Sequence, residues 1–309
     1  MTTPVLVVER LSKSYGGVHA LRELSFSVLA VEKIAVIGPN GAGKTTLFNV
    51  LNGQLSPDAG SVVFDALAIS GLATHLIARR GVGRTFQVPA TFASMTVQEN
   101  LKVALLARER LLRSAFIDVG RLDDKESLAV LERVGIAALA DRTCATLAYG
   151  DLKRVELAIA LACRPRLLLM DEPTAGLAPT ERAQLMALVV DLVATSGVAL
   201  LFTEHDMDVV FAHADRVLVL NRGRLISAGP PAAVRTDPHV RFTTVTSYDG
   251  QLENVSQQHM AVPTLWSAVA DDPLRAALES VWHAITTFGI DYRRLLSELR
   301  EAFPELAER

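Results

Sequence analysis

The chain has 309 residues, 50% of them hydrophobic, with 31 basic against 34 acidic side chains and a formal net charge of −3. That length suits one large domain with an appendage, or two domains, and the near balance of charge argues against a general nucleic-acid binder, which needs a basic excess. Two cysteines, Cys144 and Cys163, lack any metal-ligand spacing and read as buried thiols of a reducing compartment.

Residues Met1 to Glu9 lack the basic start, apolar core and small-residue cleavage site of an export signal, so none is expected. The apolar stretch nearest to a membrane span, Ala187 to Phe202, is broken by Asp191 and Gly197. The chain is expected to be soluble by itself, with any membrane role coming through a partner.

Taken in order, Val5 to Val8 and Leu24 to Val28 read as strands on either side of a turn, Leu11 to Gly17, that carries Tyr15. By itself, a ring there either stacks on a purine or packs on the surface. The apolar run Ile34-Ala35-Val36-Ile37 then enters Gly38-Pro39-Asn40-Gly41-Ala42-Gly43-Lys44-Thr45-Thr46. This is a P-loop: its glycines let the backbone curl so that N–H groups point at a polyphosphate, and a helix starting near Lys44 adds its positive end. Lys44 would reach the β- and γ-phosphates, and the Thr45 hydroxyl would coordinate Mg²⁺. A chance Gly-rich turn matches the letters but not the strand before and helix after.

Pro57-Asp58-Ala59-Gly60 marks a turn into a strand, Ser61 to Phe64. The run Arg79 to Pro89 places Gln87 at the end of another strand, where its carbonyl would reach Mg²⁺ or an attacking water, or simply face solvent. From Thr96 to about Leu161 the pattern is helical, with Leu101, Leu105 and Leu112 on one face and Leu128, Leu131 and Val134 on another, divided at the polar break Asp123 to Glu126. Leu147-Ala148-Tyr149-Gly150-Asp151 forms a second small-residue loop that opens a helix, Leu152 to Ala162, and so offers a second anion site.

Arg166 to Pro173 reads as a buried parallel strand ending in two acids, at the sheet edge where α/β proteins place their chemistry. Asp171 suits Mg²⁺ held through water, and Glu172 suits the polarisation of a water that attacks the γ-phosphate. The strand Val198 to Thr203 ends in Glu204-His205-Asp206; His205 would contact the γ-phosphate and steady Glu172, or be plain hydrogen-bonded structure. Arg216 to Leu220 and Leu225 to Ser227 close this part as two strands around Asn221-Arg222-Gly223.

In this order the motifs resemble the nucleotide-binding subunit of an ATP-binding cassette transporter, from about Val5 to about Val240. The resemblance implies an α/β P-loop cassette at residues 1–240, with a mixed β subdomain, a parallel-sheet core and a helical subdomain inserted at about 88–162. It makes Tyr15 the adenine-stacking residue, Gly38 to Thr46 the Walker A loop, Gln87 the Q-loop, Asp171 and Glu172 the end of the Walker B strand, Ala175 to Ala178 the D-loop and His205 the switch histidine. It implies ATP and Mg²⁺ as ligands, with Thr45, Gln87 and Asp171 on the metal. Gly83-Arg84-Thr85-Phe86-Gln87, Leu147 to Gly150, Glu172 to Leu177 and Thr203 to Met207 look like the high-affinity branched-chain amino acid importers. Related urea and short-chain amide importers share much of this pattern and stand as the alternative.

Most cassettes carry Leu-Ser-Gly-Gly-Gln where this chain has Leu147 to Asp151, so a serine hydroxyl aimed at the partner's γ-phosphate is missing. Asp151 could cap the helix but would repel phosphate. Ala178 replaces the acid or amide usual in the D-loop. In the family two cassettes face each other, and each signature loop acts on the partner's ATP. The resemblance therefore implies a second cassette, identical or different, membrane permease subunits, an extracytoplasmic solute-binding protein acting indirectly, no nucleic acid, and a place on the cytoplasmic face of the membrane. Soluble cassette machines of translation or repair generally carry two cassettes or a coiled-coil insertion, and neither occurs in this sequence. A non-hydrolysing regulatory cassette is suggested only by Ala148, Asp151 and Ala178, against intact Glu172 and His205.

Residues 241–309 are not covered by the resemblance. A polar connector runs to about Gln258, and beyond Asp272 and Pro273 the residues Leu274, Ala277, Leu278, Val281, Trp282, Ile285 and Phe288 recur at helical spacing; Tyr292, Leu295, Leu296 and Leu299 line a second helix. This reads as a helical appendage that packs on the cassette or docks a partner.

Overall fold

The computed structural model describes residues 3–86, 89–108, 124–237 and 240. Gln87, Leu112 and the extension at 241–309 lie outside the described residues.

Two sheets organise the chain. The first is antiparallel, in the order β2-β1-β4-β5, from β1 (Leu6–Tyr15), β2 (Val18–Val28), β4 (Ala59–Phe64) and β5 (Leu67–Ala68). The second has the order β10-β9-β3-β8-β7-β6. Its strands β3 (Lys33–Ile37), β6 (Val82–Thr85), β7 (Leu167–Asp171), β8 (Ala199–Thr203) and β9 (Arg216–Asn221) are parallel, and β10 (Arg224–Gly229) returns antiparallel on the edge.

Every residue of β7 and β8 is buried, which is why both are continuous apolar runs rather than alternations. Alternate residues still go to different cores. Ala35, Leu168, Met170, Leu200 and Phe202 face one side, against α3 (Val97–Arg108), α4 (Asp124–Arg133), α5 (Tyr149–Ala162) and α6 (Pro179–Ser196). Ile34, Val36, Leu167, Leu169 and Leu201 face the other, against α1 (Lys44–Leu51) and the antiparallel sheet. Because β3, β8, β7 and β6 are parallel neighbours, their carboxyl ends share one edge, and the loop at Gly38 to Thr46, the acids Asp171 and Glu172, and His205 lie at or just beyond it.

Several elements differ from the sequence expectation. β1 does not stop at Val8: it continues through the polar residues to Tyr15 and turns only at Gly16-Gly17, with register shifts at three places along its pairing with β2. The apolar stretch Ala187 to Phe202 is part helix and part strand, separated by Gly197 in the left-handed conformation (φ 70°) that ends α6. Asp124 and Glu126 belong to the first turn of α4, where negative charge meets the positive helix end, rather than to a break. Three short helices carry too few periodic residues to be read from sequence: α2 (Thr74–Arg79), α7 (Met207–His213) and α8 (Pro231–Thr236). Among the described residues no helix is long and apolar enough to cross a membrane.

The start of α6 is half capped. Ala178 holds the extended N-cap conformation (φ −66°, ψ 154°), Pro179 opens the helix, and Glu181 accepts the Ala178 N–H at 3.1 Å. A methyl side chain cannot accept the N–H that an Asn or Ser would take. Ala178→Asn is expected to raise stability by about 1 kcal/mol, read as a higher urea midpoint at unchanged slope.

Candidate nucleotide site

The loop leaving β3 is held open by glycines where no other residue fits. Gly38 has φ 152° and a Cβ there would lie 2.1 Å from the Leu220 carbonyl oxygen; Gly43 has φ 106° and its Cβ would lie 2.4 Å from that of Ala20. The loop closes on itself through Ala42 N–H to Pro39 O at 3.0 Å, and the Gly223 N–H reaches Ala42 O at 2.9 Å, tying it to the β9–β10 turn. α1 starts from Gly43 with no side-chain cap and no acid in its first turn, so its leading amides form a cradle for an anion. Lys44 is buried, and its Nζ donates to Gly38 O at 2.7 Å and Pro39 O at 3.2 Å. Burial lowers its pKa, against the opposing pull of Glu172 and Asp171.

The acids at the end of β7 are fixed by a threonine that the sequence reading passed over. Thr203, fully buried at the end of β8, pairs in register with both Val36 and Asp171. Its hydroxyl donates to Asp171 Oδ1 at 2.7 Å and accepts the Glu172 N–H at 3.0 Å. Asp171 Oδ2 lies 3.5 Å from Nη2 of Arg84, a buried guanidinium between the Phe48 and Phe86 rings whose Nη1 donates to Asn49 and Gln54. Burial brings the Arg84 pKa down to about 10. Glu172 sits at φ 48°, an uncommon conformation for a side-chain-bearing residue, held by the Thr203 bond. Its Oε1 is 2.8 Å from His205 Nε2. Glu204 Oε1 accepts from both the N–H and the hydroxyl of Thr174, and Oε2 from the His205 N–H, so the turn after Glu172 is bound to the segment that follows β8.

A family model described as ABC transporter matches residues 21–175. The chain belongs to the ABC transporter family. It is 39% identical over 250 residues to the high-affinity branched-chain amino acid transport ATP-binding protein BraF of Pseudomonas aeruginosa, covering 78% of this chain and 97% of that one. With LivG of Escherichia coli K12, of the same description, it shares 37% over 247 residues, again 78% and 97%. Among solved structures it is similar to the ADP conformation of MJ1267, an ATP-binding cassette of an ABC transporter, with a TM-score of 0.72, 32% identity, and coverage of 79% of this chain and 99% of that one. The fold is that of an ABC ATPase cassette.

Within the cassette, the structure brings the P-loop, Asp171, Glu172 and His205 to one edge of the sheet. Tyr15 ends β1 with its ring part exposed and the Lys13 ammonium 5.9 Å from it. The signature stretch needs a correction: the helix opens at Tyr149, not Leu152, and Ala148 (φ −66°, ψ 153°) is the N-cap residue. Asp151 therefore stands three positions into the helix rather than at the cap. Tyr149 packs on Gly176, where an added Cβ would lie 3.1 Å from its Cε1, and Gly150 faces Leu177 and Glu181. The signature stretch thus leans on the turn that follows the chain's own Glu172.

The Thr45 hydroxyl and Asp171 carboxylate are hard oxygen donors of the kind Mg²⁺ takes. Among the described residues no group of three or more His, Cys, Asp or Glu could hold a metal, and a cation that arrives with phosphates needs fewer protein ligands than that.

The Glu172–His205 contact carries a pH signature. The hydrogen bond to Glu172 raises the His205 pKa above its usual 6.5, so that contribution is complete below 6.5 and lost as pH rises through the folded value. The same bond lowers the Glu172 pKa below its usual 4.5, so that contribution is present above 4.5 and lost as pH falls through the folded value. The stability difference between the natural chain and His205→Ala is expected to be largest between 4.5 and 6.5 and to shrink on both sides, checked by urea midpoints across that range.

Proposed function

We propose that this cassette hydrolyses MgATP to power uptake of branched-chain amino acids through separate permease subunits, at the cytoplasmic face of the membrane. The observation that carries this reading is the similarity to BraF and LivG over 97% of their lengths, together with the shared edge at which the P-loop, Asp171, Glu172 and His205 meet. Residues 1–240 form the ATP-binding unit, with the helical insertion at about 88–162.

The α1 amides and Lys44 bind the β- and γ-phosphates, and Tyr15 stacks on the adenine. Thr45 and Asp171, with Gln87, would hold Mg²⁺, which would offset charge on the phosphate oxygens. Glu172 takes a proton from water as its oxygen attacks the γ-phosphorus; the bond to the β-phosphate oxygen breaks, and ADP and phosphate leave. His205, hydrogen-bonded to Glu172, orients that carboxylate and follows the γ-phosphate. Leu147 to Asp151 act on the ATP of a second cassette, so two chains close around nucleotide and part after hydrolysis.

The test is reconstitution in vesicles with the permease subunits and the solute-binding protein. ATP inside should drive accumulation of leucine, isoleucine or valine. Accumulation of urea or short amides in their place would move the solute to the alternative class, and ATP hydrolysis with no solute movement would overturn the transport reading.

A further inference from the structure

The signature helix α5 carries two buried ionisable residues that the scheme above does not use. Lys153 and Glu156 are 4% and 1% exposed, on one face of the helix at i, i+3 spacing, with Tyr149 one turn earlier. Lys153 Nζ lies 5.7 Å from the Tyr149 ring centre and donates to the Phe86 carbonyl at 3.0 Å. Glu156 accepts the Phe86 N–H at 2.6 Å and the Ala90 N–H as well. Phe86 follows β6 directly, and the last residue of β6, Thr85, is in register with Met170, the neighbour of Asp171.

We infer that Lys153 and Glu156 are positioning residues: they lock the helix that begins at the signature stretch onto the chain leaving β6, so that the loop acting on a partner's nucleotide and this chain's own acids keep one register. The inference rests on the proposed role of Leu147 to Asp151. Two buried ionisable side chains are an expensive way to fill a core, and burial pushes the Glu156 carboxyl up to about 7. Two apolar side chains would occupy the same space, but they could not satisfy both polar groups of Phe86 and the N–H of Ala90. Arg84 and Lys153 are the cations facing Glu156, while Glu156, Glu204, Glu172 and Asp171 are the acids facing Lys153, so the pair also sits in the field of the catalytic edge.

The full chain is compared with Lys153→Met, Lys153→Arg, Glu156→Ala and Glu156→Gln. Turnover and KM for MgATP are measured along with ATP affinity, thermal stability, and hydrogen exchange of the peptide containing Phe86 and Ala90. Lys153→Met and Glu156→Ala are expected to lower kcat on the order of 10-fold with ATP affinity within about 3-fold, because misplacement costs rate before it costs binding. Lys153→Arg and Glu156→Gln, which keep a donor and an acceptor, should recover part of the loss. Exchange at 86–90 should quicken in Glu156→Ala while that of β7 holds. Turnover within two-fold of the natural chain for Lys153→Met, affinity and rate falling together with thermal stability, or unaltered exchange at 86–90 would each overturn the inference. A natural chain that fails to hydrolyse ATP would count against the proposed function instead, and the exchange result would still decide the clamp.

Discussion

Glu172→Gln is expected to lower ATP turnover by 10²-fold or more, in line with the loss of a general base, while nucleotide stays bound. The amide has nearly the shape of the carboxylate and can keep the contact with His205 that Glu172 makes at 2.8 Å, but it cannot accept a proton from water. Phosphate release and nucleotide retention, measured on the same preparation, separate the two effects. A rate equal to that of the natural chain would remove Glu172 from the chemistry. Thr203 supplies the control. Its hydroxyl holds both the Asp171 carboxylate and the Glu172 N–H, so Thr203→Val removes the buried hydrogen bond to Asp171 at a cost of about 1–3 kcal/mol, whereas Thr203→Ser keeps the bridge. Valine should therefore lower stability together with rate, and glutamine at 172 the rate alone.

The difference between those two residues shows what was legible in the sequence. Glu172 announces itself because an acid after a fully apolar strand has no packing reason to be there. The same logic exposes Lys44 within its glycines, and His205 after the strand that ends at Thr203. Thr203 gives no such sign: a threonine closing a buried strand is ordinary β composition, and only the register β3-β8-β7 places it between the loop strand and the acids. Arg84, Lys153 and Glu156 were hidden for a related reason. Charged letters in a strand or helix normally mark a wet face, yet here they are 7%, 4% and 1% exposed, and their partners lie 30 to 87 residues away in the chain. β1 reads shorter in the sequence than it is, because its second half is largely polar without an alternation of buried and exposed residues and its bulges break the period.

Lys44→Met should separate binding from folding. Lys44 is 8% exposed and its Nζ donates to the neutral carbonyls of Gly38 and Pro39, while Glu172 and Asp171 offset its charge through space. A cation so placed costs the folded chain desolvation free energy, which burial-driven lowering of its pKa records. Methionine has the same unbranched shape and none of that cost, so thermal stability is expected to hold or rise. ATP affinity is expected to fall by roughly 100-fold, the equivalent of losing about 3 kcal/mol of charge-assisted hydrogen bonding to phosphate. Arginine is not an equivalent replacement, because it presents a planar fork in place of a compact ammonium. Titration with a fluorescent ATP analogue beside a melting curve reads both quantities. Natural affinity in Lys44→Met would mean that the cradle of α1 amides holds the phosphates without the lysine, and a melting point that falls in step with affinity would mean that the side chain serves the fold.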